Sequence, residues 1–359
     1  MYIESLDLKN YRNYEELHMT FAEGTNVLYG DNGQGKTNIL EAVFMCAAAK
    51  SHRGARDRDM IRFGSDEAHI RMRLRREGLP YVIDMHLKKN APKGIAINGV
   101  PVRKVSELFG TLHTVCFSPE DLDIIKEGPA VRRRFMDIEL CQLESLYVPS
   151  LINYNKILLQ RNSLLKDMQG REGFEASLDV FDEQLVKYGC EVIREREKFI
   201  NNLKPVIERI QQSIAGYSEK LSISYEKDTS IEEYAERLRS RRNEDIRQRV
   251  TLCGPHRDDI GFYADGKDLR RFGSQGQQRT AALSLKLAEI ELVRQRTGDD
   301  PVLLLDDVLS ELDSGRQDNL LNTISSIQTI VTCTGLDEFV NSNYHIDKAM
   351  HIAEGKADE

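Results

Sequence analysis

The chain has 359 residues, is 40% hydrophobic, contains no tryptophan and carries a formal net charge of −8, so it can bury one large core or two moderate ones and cannot wear a generally basic nucleic-acid coat. Cys46, Cys116, Cys141, Cys190, Cys253 and Cys333 show no C-x-x-C or Cys/His spacing, so they indicate neither a zinc site nor a disulfide framework and suit a reducing compartment. No apolar run approaches the roughly 20 residues that cross a bilayer, and Met1–Ser5 resembles no leader, so the expectation is a soluble cytoplasmic protein with no membrane partner.

Apolar and polar residues alternate from Ile3 to Leu8 and again at Leu17, Met19 and Phe21, which predicts two antiparallel strands. Their connector, Lys9 to Tyr14, carries two tyrosines and an arginine; stacking on an adenine ring and an ordinary amphipathic turn both fit it. Thr25 to Tyr29 reads as a short buried strand. After it, Gly30-Asp31-Asn32-Gly33-Gln34-Gly35-Lys36-Thr37 has the G-x-x-x-x-G-K-T spacing, and Lys36 to Ala49 places Ile39, Leu40, Val43, Phe44 and Ala47 at helical intervals. Strand, loop and helix is the context a phosphate-binding loop requires. The glycines let backbone N–H groups curl around phosphates, and the helix adds its positive end. Lys36 is expected to reach the β- and γ-phosphates of ATP, and the Thr37 hydroxyl to hold Mg²⁺.

Downstream, Ile70, Met72 and Leu74 alternate with Arg71, Arg73 and Arg75, and Tyr81, Ile83, Met85 and Leu87 follow a turn at Glu77–Pro80. Asn98-Gly99 between Ile95–Ile97 and Val100–Val102 is a strong hairpin signal. These segments predict an antiparallel sheet beside the nucleotide core, whose arginine row faces either phosphate backbone or solvent. Composition shifts at Pro129, where Arg132–Asp137 open a stretch rich in Leu, Glu, Lys and Arg that runs to about residue 216, broken at Gly170/Gly173. Leu151, Ile152, Ile157, Leu158, Leu164 and Leu165 before the break, and Phe181, Leu185, Val192, Ile193 and Phe199 after it, predict two antiparallel helices. Arms of roughly 30 to 45 residues are far shorter than a chromosome-condensing coiled coil. Arg237, Arg239, Arg241 and Arg242 form a dense basic cluster on a further short helix, either a solvated face or a DNA or partner contact.

A mixed α/β pattern returns at Gly254-Pro255-His256-Arg257-Asp258-Asp259. Gly273 to Arg279 then leads into a helix bearing Leu283, Leu287 and Ile290, the strand Pro301 to Asp307, the block Ser310-Glu311-Leu312-Asp313, and a last core strand from Ile327 to Thr334. An apolar run ending in Asp306-Asp307 is the pattern of a buried parallel strand that delivers carboxylates to a nucleotide site. Asp306 is expected to hold Mg²⁺ through water, and Asp307 to polarise the attacking water, so Lys36, Asp306 and Asp307 form the catalytic set. Ser274-Gln275-Gly276-Gln277 has the look of an ABC-type signature, a helix start whose N–H groups and hydroxyl suit a γ-phosphate presented by another subunit.

Leu8–Tyr14, Gly30–Thr37, Ser51-His52-Arg53, Phe117–Leu122, Arg132–Asp137, Gly254–Asp258, Ser274–Arg279 and Leu303–Asp313 together resemble, in order, the blocks of the bacterial RecF family. The resemblance implies an α/β fold: an ABC-type P-loop ATPase head with a flanking antiparallel sheet and an inserted α-helical lobe, here residues 1–128 and 250–359 for the ATPase domain and 129–249 for the lobe. It implies a slow, DNA-stimulated ATPase that dimerises on ATP, clamps DNA at gaps or single-strand/double-strand junctions, and acts with RecO and RecR in recombinase loading, replication restart and SOS induction. Carried onto this chain, Gly30–Thr37 bind ATP, Thr37 and Asp306 bind Mg²⁺, Asp307 is catalytic, and Ser274, Gly276 and Gln277 act on the other subunit's nucleotide. Asp313 falls in the loop that joins the two sites. Thr334 stands where transporters keep a His, Asp307 where most relatives carry Glu, and no Q-loop glutamine is evident near Glu120. The nucleotide-binding subunit of an ABC transporter and a structural SMC-type head remain alternatives at this point.

Overall fold

The computed structural model describes residues 1–167, 173–215, 220–309, 314–324, 326–336 and 345–358. Gly170 and the block Ser310–Asp313 lie outside them. The elements in chain order are β1 (Tyr2–Tyr11), β2 (Tyr14–Thr20), β3 (Thr25–Tyr29), α1 (Lys36–Ala48), β4 (Glu67–Arg76), β5 (Leu79–Lys88), β6 (Ala91–Ile97), β7 (Val100–Pro101) and β8 (Thr114–Phe117). There follow α2 (Leu122–Lys126), α3 (Pro129–Leu143), α4 (Tyr147–Asp167), α5 (Phe174–Ala215), β9 (Leu221–Glu226), α6 (Tyr234–Ser240), α7 (Arg242–Gln248), β10 (Asp259–Ala264), β11 (Lys267–Asp268) and α8 (Leu269–Phe272). The chain ends with α9 (Gln275–Thr297), β12 (Val302–Asp306), α10 (Ser314–Ile324), β13 (Thr329–Cys333), β14 (Lys348–Ala353) and β15 (Lys356–Asp358). Two compact units result, Met1–Asp121 with Leu283–Glu359, and Leu122–Ala282.

In the first unit the alternating segments form an antiparallel sheet of order β2-β1-β4-β5-β6-β7. Its inner face carries Leu6, Leu8, Ile70, Met72, Leu74, Ile83, Met85 and Leu87, all buried. The Asn98-Gly99 turn has φ of 51° and 78° and pairs Ile97 with Val100; positive φ at both positions is what a two-residue hairpin twisted like its strands demands. The outer arginine row is paired: Arg71 lies 3.3 Å from Asp84, Arg73 3.9 Å from Asp7 and Arg75 2.6 Å from Glu4. Local carboxylates therefore compensate that row, which makes it a solvated face.

The second sheet of this unit has the order β15-β14-β3-β13-β12-β8 and is parallel from β14 to β8. Val302, Leu303, Leu304 and Leu305 are completely buried, as expected of a strand covered on both faces, and each side chain contributes on the order of 1.5–3 kcal/mol of burial free energy. α1 packs on β8, β12 and β13 and also on β4 of the other sheet. Contact on both sides explains why its residues Ile39 to Ala48 are buried all round. The expectation that Ile327 to Thr334 is the last core strand is corrected by β14, which adds a parallel strand beside β3. Only Met350 and Ile352 are large apolar residues there, too few to announce it.

In the second unit α4 and α5 pack together, and Leu165, Phe174 and Leu178 form an apolar cluster with Leu164 and Ile246 against it. Val192, Ile193, Leu203 and Ile207 of α5 are buried as well, and buried ion pairs add to this apolar packing. Arg161 is fully buried and donates to Asp182 at 2.7 Å, Asp245 at 2.8 Å and Thr251 Oγ1 at 2.9 Å. Arg196 reaches Asp137 at 2.9 Å and Asp258 at 3.3 Å, while Arg132 holds Asp259. The α/β pattern that returns at Gly254 begins inside this unit, as a sheet of order β11-β10-β9. Three of the four arginines of the basic cluster are also partnered: Arg237 donates to the Asp228 carbonyl, Arg241 pairs with Glu244, and Arg242 with Asp179 and Asp182.

Candidate functional site

Register in the parallel sheet assembles the site. β13 lies between β3 and β12, pairing Thr332 with Leu28 on one side and with Asp306 on the other. The loop that leaves β3 and the carboxylates that end β12 therefore emerge from the same edge of the sheet, where open α/β folds bind ligands.

Gly30, Gly33 and Gly35 have φ of 145°, 80° and 110°, values that a side chain would strain. A Cβ on Gly35 would also lie 2.5 Å from Asn13 Nδ2 and 2.7 Å from the Tyr14 hydroxyl. Lys36 is almost fully buried and donates to the carbonyls of Gly30 at 2.6 Å and Asp31 at 2.8 Å. Its ammonium thus already sits within the curl of the loop. Thr37 Oγ1 donates to Asp306 Oδ1 at 2.8 Å. A hydroxyl and a carboxylate in contact at the mouth of a glycine loop are the hard oxygen donors Mg²⁺ prefers, so these residues fit ATP and Mg²⁺. Asp307 is exposed and takes φ of 54°. Partial burial and then the neighbouring Asp306 raise its carboxyl above the ordinary value, with Lys36 opposing.

Thr332 is a residue the sequence reading missed. Its hydroxyl donates to Asp306 Oδ1 at 2.8 Å and accepts from the Asp307 N–H at 3.0 Å, so one buried side chain orients both acids. Thr334, singled out from the sequence, is exposed. A threonine inside a strand carries no signal of its own; only the pairing with Asp306 reveals it.

The connector from Lys9 to Tyr14 braces the loop from behind. Tyr11 and Tyr14 are both fully buried and so present no ring for an adenine, which corrects that reading. Asn13 donates to the Gln34 carbonyl at 2.9 Å and accepts from Asn38 at 2.8 Å. Arg12 forms a two-pronged pair with Glu41 of α1, both contacts 2.8 Å, and Ser51 donates to the same carboxylate. Burial pushes the Glu41 carboxyl up, but the bonds from Arg12 and Ser51 outweigh it and hold the group below its ordinary value.

Ser274, Gly276 and Gln277 belong to the second unit, the phosphate loop to the first. The Ser274 N–H donates to Gln277 Oε1 at 2.8 Å and the Gln277 N–H to Ser274 Oγ at 3.2 Å, a reciprocal cap that starts α9. Ser274 and Gly276 are exposed, and a Cβ on Gly276 would meet only Ser274 Oγ, at 3.9 Å. No helix among the described residues is long and apolar enough to cross a membrane.

Comparison with known proteins gives one answer at three levels. Residues 2–354 match the family model for the RecF/RecN/SMC N terminal domain. The DNA replication and repair protein RecF of Lachnospira eligens is 54% identical over 99% of this chain and 98% of its own length, and that of Lachnoclostridium phytofermentans is 54% identical over 100% of both. A solved structure of the recombination mediator protein RecF with ATP in the RecFOR pathway superposes with a TM-score of 0.93 at 36% identity, covering 99% of this chain and 97% of that one. An SMC head bound to the winged-helix domain of ScpA, at 16% identity and a TM-score of 0.55 over 100% of this chain and 96% of that one, shares the fold alone. With a family model spanning nearly the whole chain and full-length relatives above half identity, this chain belongs to the RecF family of ABC-type ATPases.

Proposed function

We propose that this chain is an ATP-dependent DNA clamp of replication and recombinational repair, acting in the cytoplasm with RecO and RecR. The observation that carries the ATPase reading is Thr37 Oγ1 bonded to Asp306 Oδ1 beside Lys36, with Asp307 next in the chain. Gly30, Asp31, Asn32, Gly33, Gln34 and Gly35 wrap their N–H groups around the phosphates, and Lys36 exchanges its carbonyl partners for the β- and γ-oxygens. Mg²⁺, held by Thr37 and through water by Asp306, would neutralise charge on those phosphates. Asp307, with its raised basicity, takes the proton of the attacking water. Ser274, Gly276 and Gln277 of a second copy close on the γ-phosphate, so ATP joins two chains and hydrolysis releases them. Relatives named as DNA replication and repair proteins, and a RecF structure with ATP, support the DNA and nucleotide parts of this reading. Binding at gaps or single-strand/double-strand junctions, slow DNA-stimulated turnover, recombinase loading and support of SOS induction are the steps the clamp would serve.

The test is sedimentation without nucleotide, with ADP, and with ATP plus Mg²⁺, alongside Ser274→Arg. The expected result is a dimer with ATP only, lost in Ser274→Arg while ATP binding persists. Dimers of the variant with ATP would remove the composite site; no ATP binding by the unaltered chain would remove the whole reading.

A further inference from the structure

We propose that Glu67, His69 and His86 form a binding site for one divalent transition-metal ion of the zinc class on the outer face of the antiparallel sheet. Register builds it. Glu67 and His69 are two apart on β4 and so share a face, and His69 pairs directly across the ladder with His86 of β5. The two imidazoles stack with centroids 4.0 Å apart and planes 21° from parallel. The Glu67 carboxylate reaches both rings, 2.8 Å from His86 Nε2 and 3.7 Å from His69 Nε2. The three donor atoms all lie within 4.8 Å of one another.

A tetrahedral zinc ion with ligands at about 2.05 Å needs donors about 3.4 Å apart, so a small turn of the rings on their χ angles suffices. Two imidazole nitrogens and one carboxylate oxygen favour zinc, copper, nickel or cobalt over Mg²⁺ or Ca²⁺. Space for further ligands is present as well. His86 pairs with Gly94 of β6, and a Cβ built on Gly94 would meet only the His86 Cβ, at 3.8 Å. Lys9 of β1 and Lys88 of β5 are neighbouring cations, opposite His69 and Glu67, both on long stems that can swing outward; Arg71, next to His69 on the same face, lies 3.3 Å from Asp84. The bound ion would tie β4 to β5 at one rung. Cysteine spacing could not disclose the site, because its ligands are two imidazoles and a carboxylate that only strand pairing brings together.

The experiment is a titration of zinc chloride into the untagged full-length chain, without nucleotide and with excess Mg²⁺ present. It is followed by calorimetry and repeated on Glu67→Gln and on the double variant His69→Gln/His86→Gln. Removing even an outer partner of a metal ligand typically costs ten- to a hundred-fold in affinity, so Glu67→Gln is expected to bind at least about tenfold more weakly and the double variant not measurably. One zinc per chain with that ordering supports the site. No binding by the unaltered chain, or equal binding by all three proteins, overturns it. All three positions are on the sheet surface; should the double variant fail to fold, as judged by circular dichroism, Glu67→Gln alone decides by the same criterion.

Discussion

Asp307→Gly is expected to make the protein more stable and nearly inactive at once. Asp307 holds a left-handed backbone, φ 54°, which costs a non-glycine residue about 1–2 kcal/mol. Glycine removes that strain but adds about 0.5 kcal/mol of backbone entropy to the unfolded chain. Losing the carboxylate also removes repulsion from Asp306, one of the influences that raise the Asp307 pKa. The net expectation is a gain of about 1 kcal/mol at neutral pH, a rise in melting temperature of about 2–4 °C for a unit of this size. The pH dependence fixes the sign of the charge part. A carboxyl whose folded pKa is raised destabilises the fold as pH climbs from its unfolded value, about 3.9, through its folded one. The margin between Asp307→Gly and the parent should therefore widen from pH 4 upward and then level off. Asp307→Asn, which tolerates the same backbone, isolates the charge contribution. ATP turnover should fall by about 10²- to 10⁴-fold in both, as loss of a general base does, with ATP binding retained. Scanning calorimetry and phosphate release measure the two sides. An Asp307→Gly protein that melts below the parent at pH 7, or turns over within tenfold of it, refutes the reasoning.

Three further outcomes follow from the same geometry. Thr332→Val keeps the shape but removes a donor to Asp306 and an acceptor for the Asp307 N–H; the Mg²⁺ concentration for half-maximal ATPase should rise about 10- to 100-fold. Arg161→Met leaves Asp245 without its buried cation, whereas Asp182 keeps Arg242, so urea denaturation should show a loss near the lower end of the range for broken buried pairs, about 3 kcal/mol. His256 is buried with its pKa pushed down to about 4, its Nδ1 accepting from Tyr154 and its Nε2 donating to the Thr251 carbonyl. A depressed pKa gives stability that is complete above the unfolded value, about 6.5, and lost as pH falls toward 4, so His256→Gln should lose about 3 kcal/mol less than the parent across that window. Equal acid profiles for the two would show that the imidazole does not carry the effect.

The phosphate loop and the acidic strand were legible because their signals are local: a spacing of eight residues, and an apolar run that ends in two carboxylates. What closes the site is not local. Arg12 and Glu41 meet across 29 positions and Asp306 and Thr332 across 26, and each partner is a residue type that occurs on any helix or strand. Basic clusters stay ambiguous for the same reason. Arg71, Arg73 and Arg75 fit either phosphate backbone or solvent as a bare row, until register sets Asp84, Asp7 and Glu4 beside them; Arg241 and Arg242 are likewise matched by Glu244, Asp179 and Asp182. Sequence counts charges, whereas pairing decides which of them a ligand can feel. In a chain of net charge −8 whose two conspicuous arginine groups are largely matched by carboxylates, a polyanion gains little from a single copy. In the proposed clamp, DNA attraction is then expected to depend on the ATP-bound pair of copies, so that ATP-dependent dimerisation and DNA binding stand or fall as one.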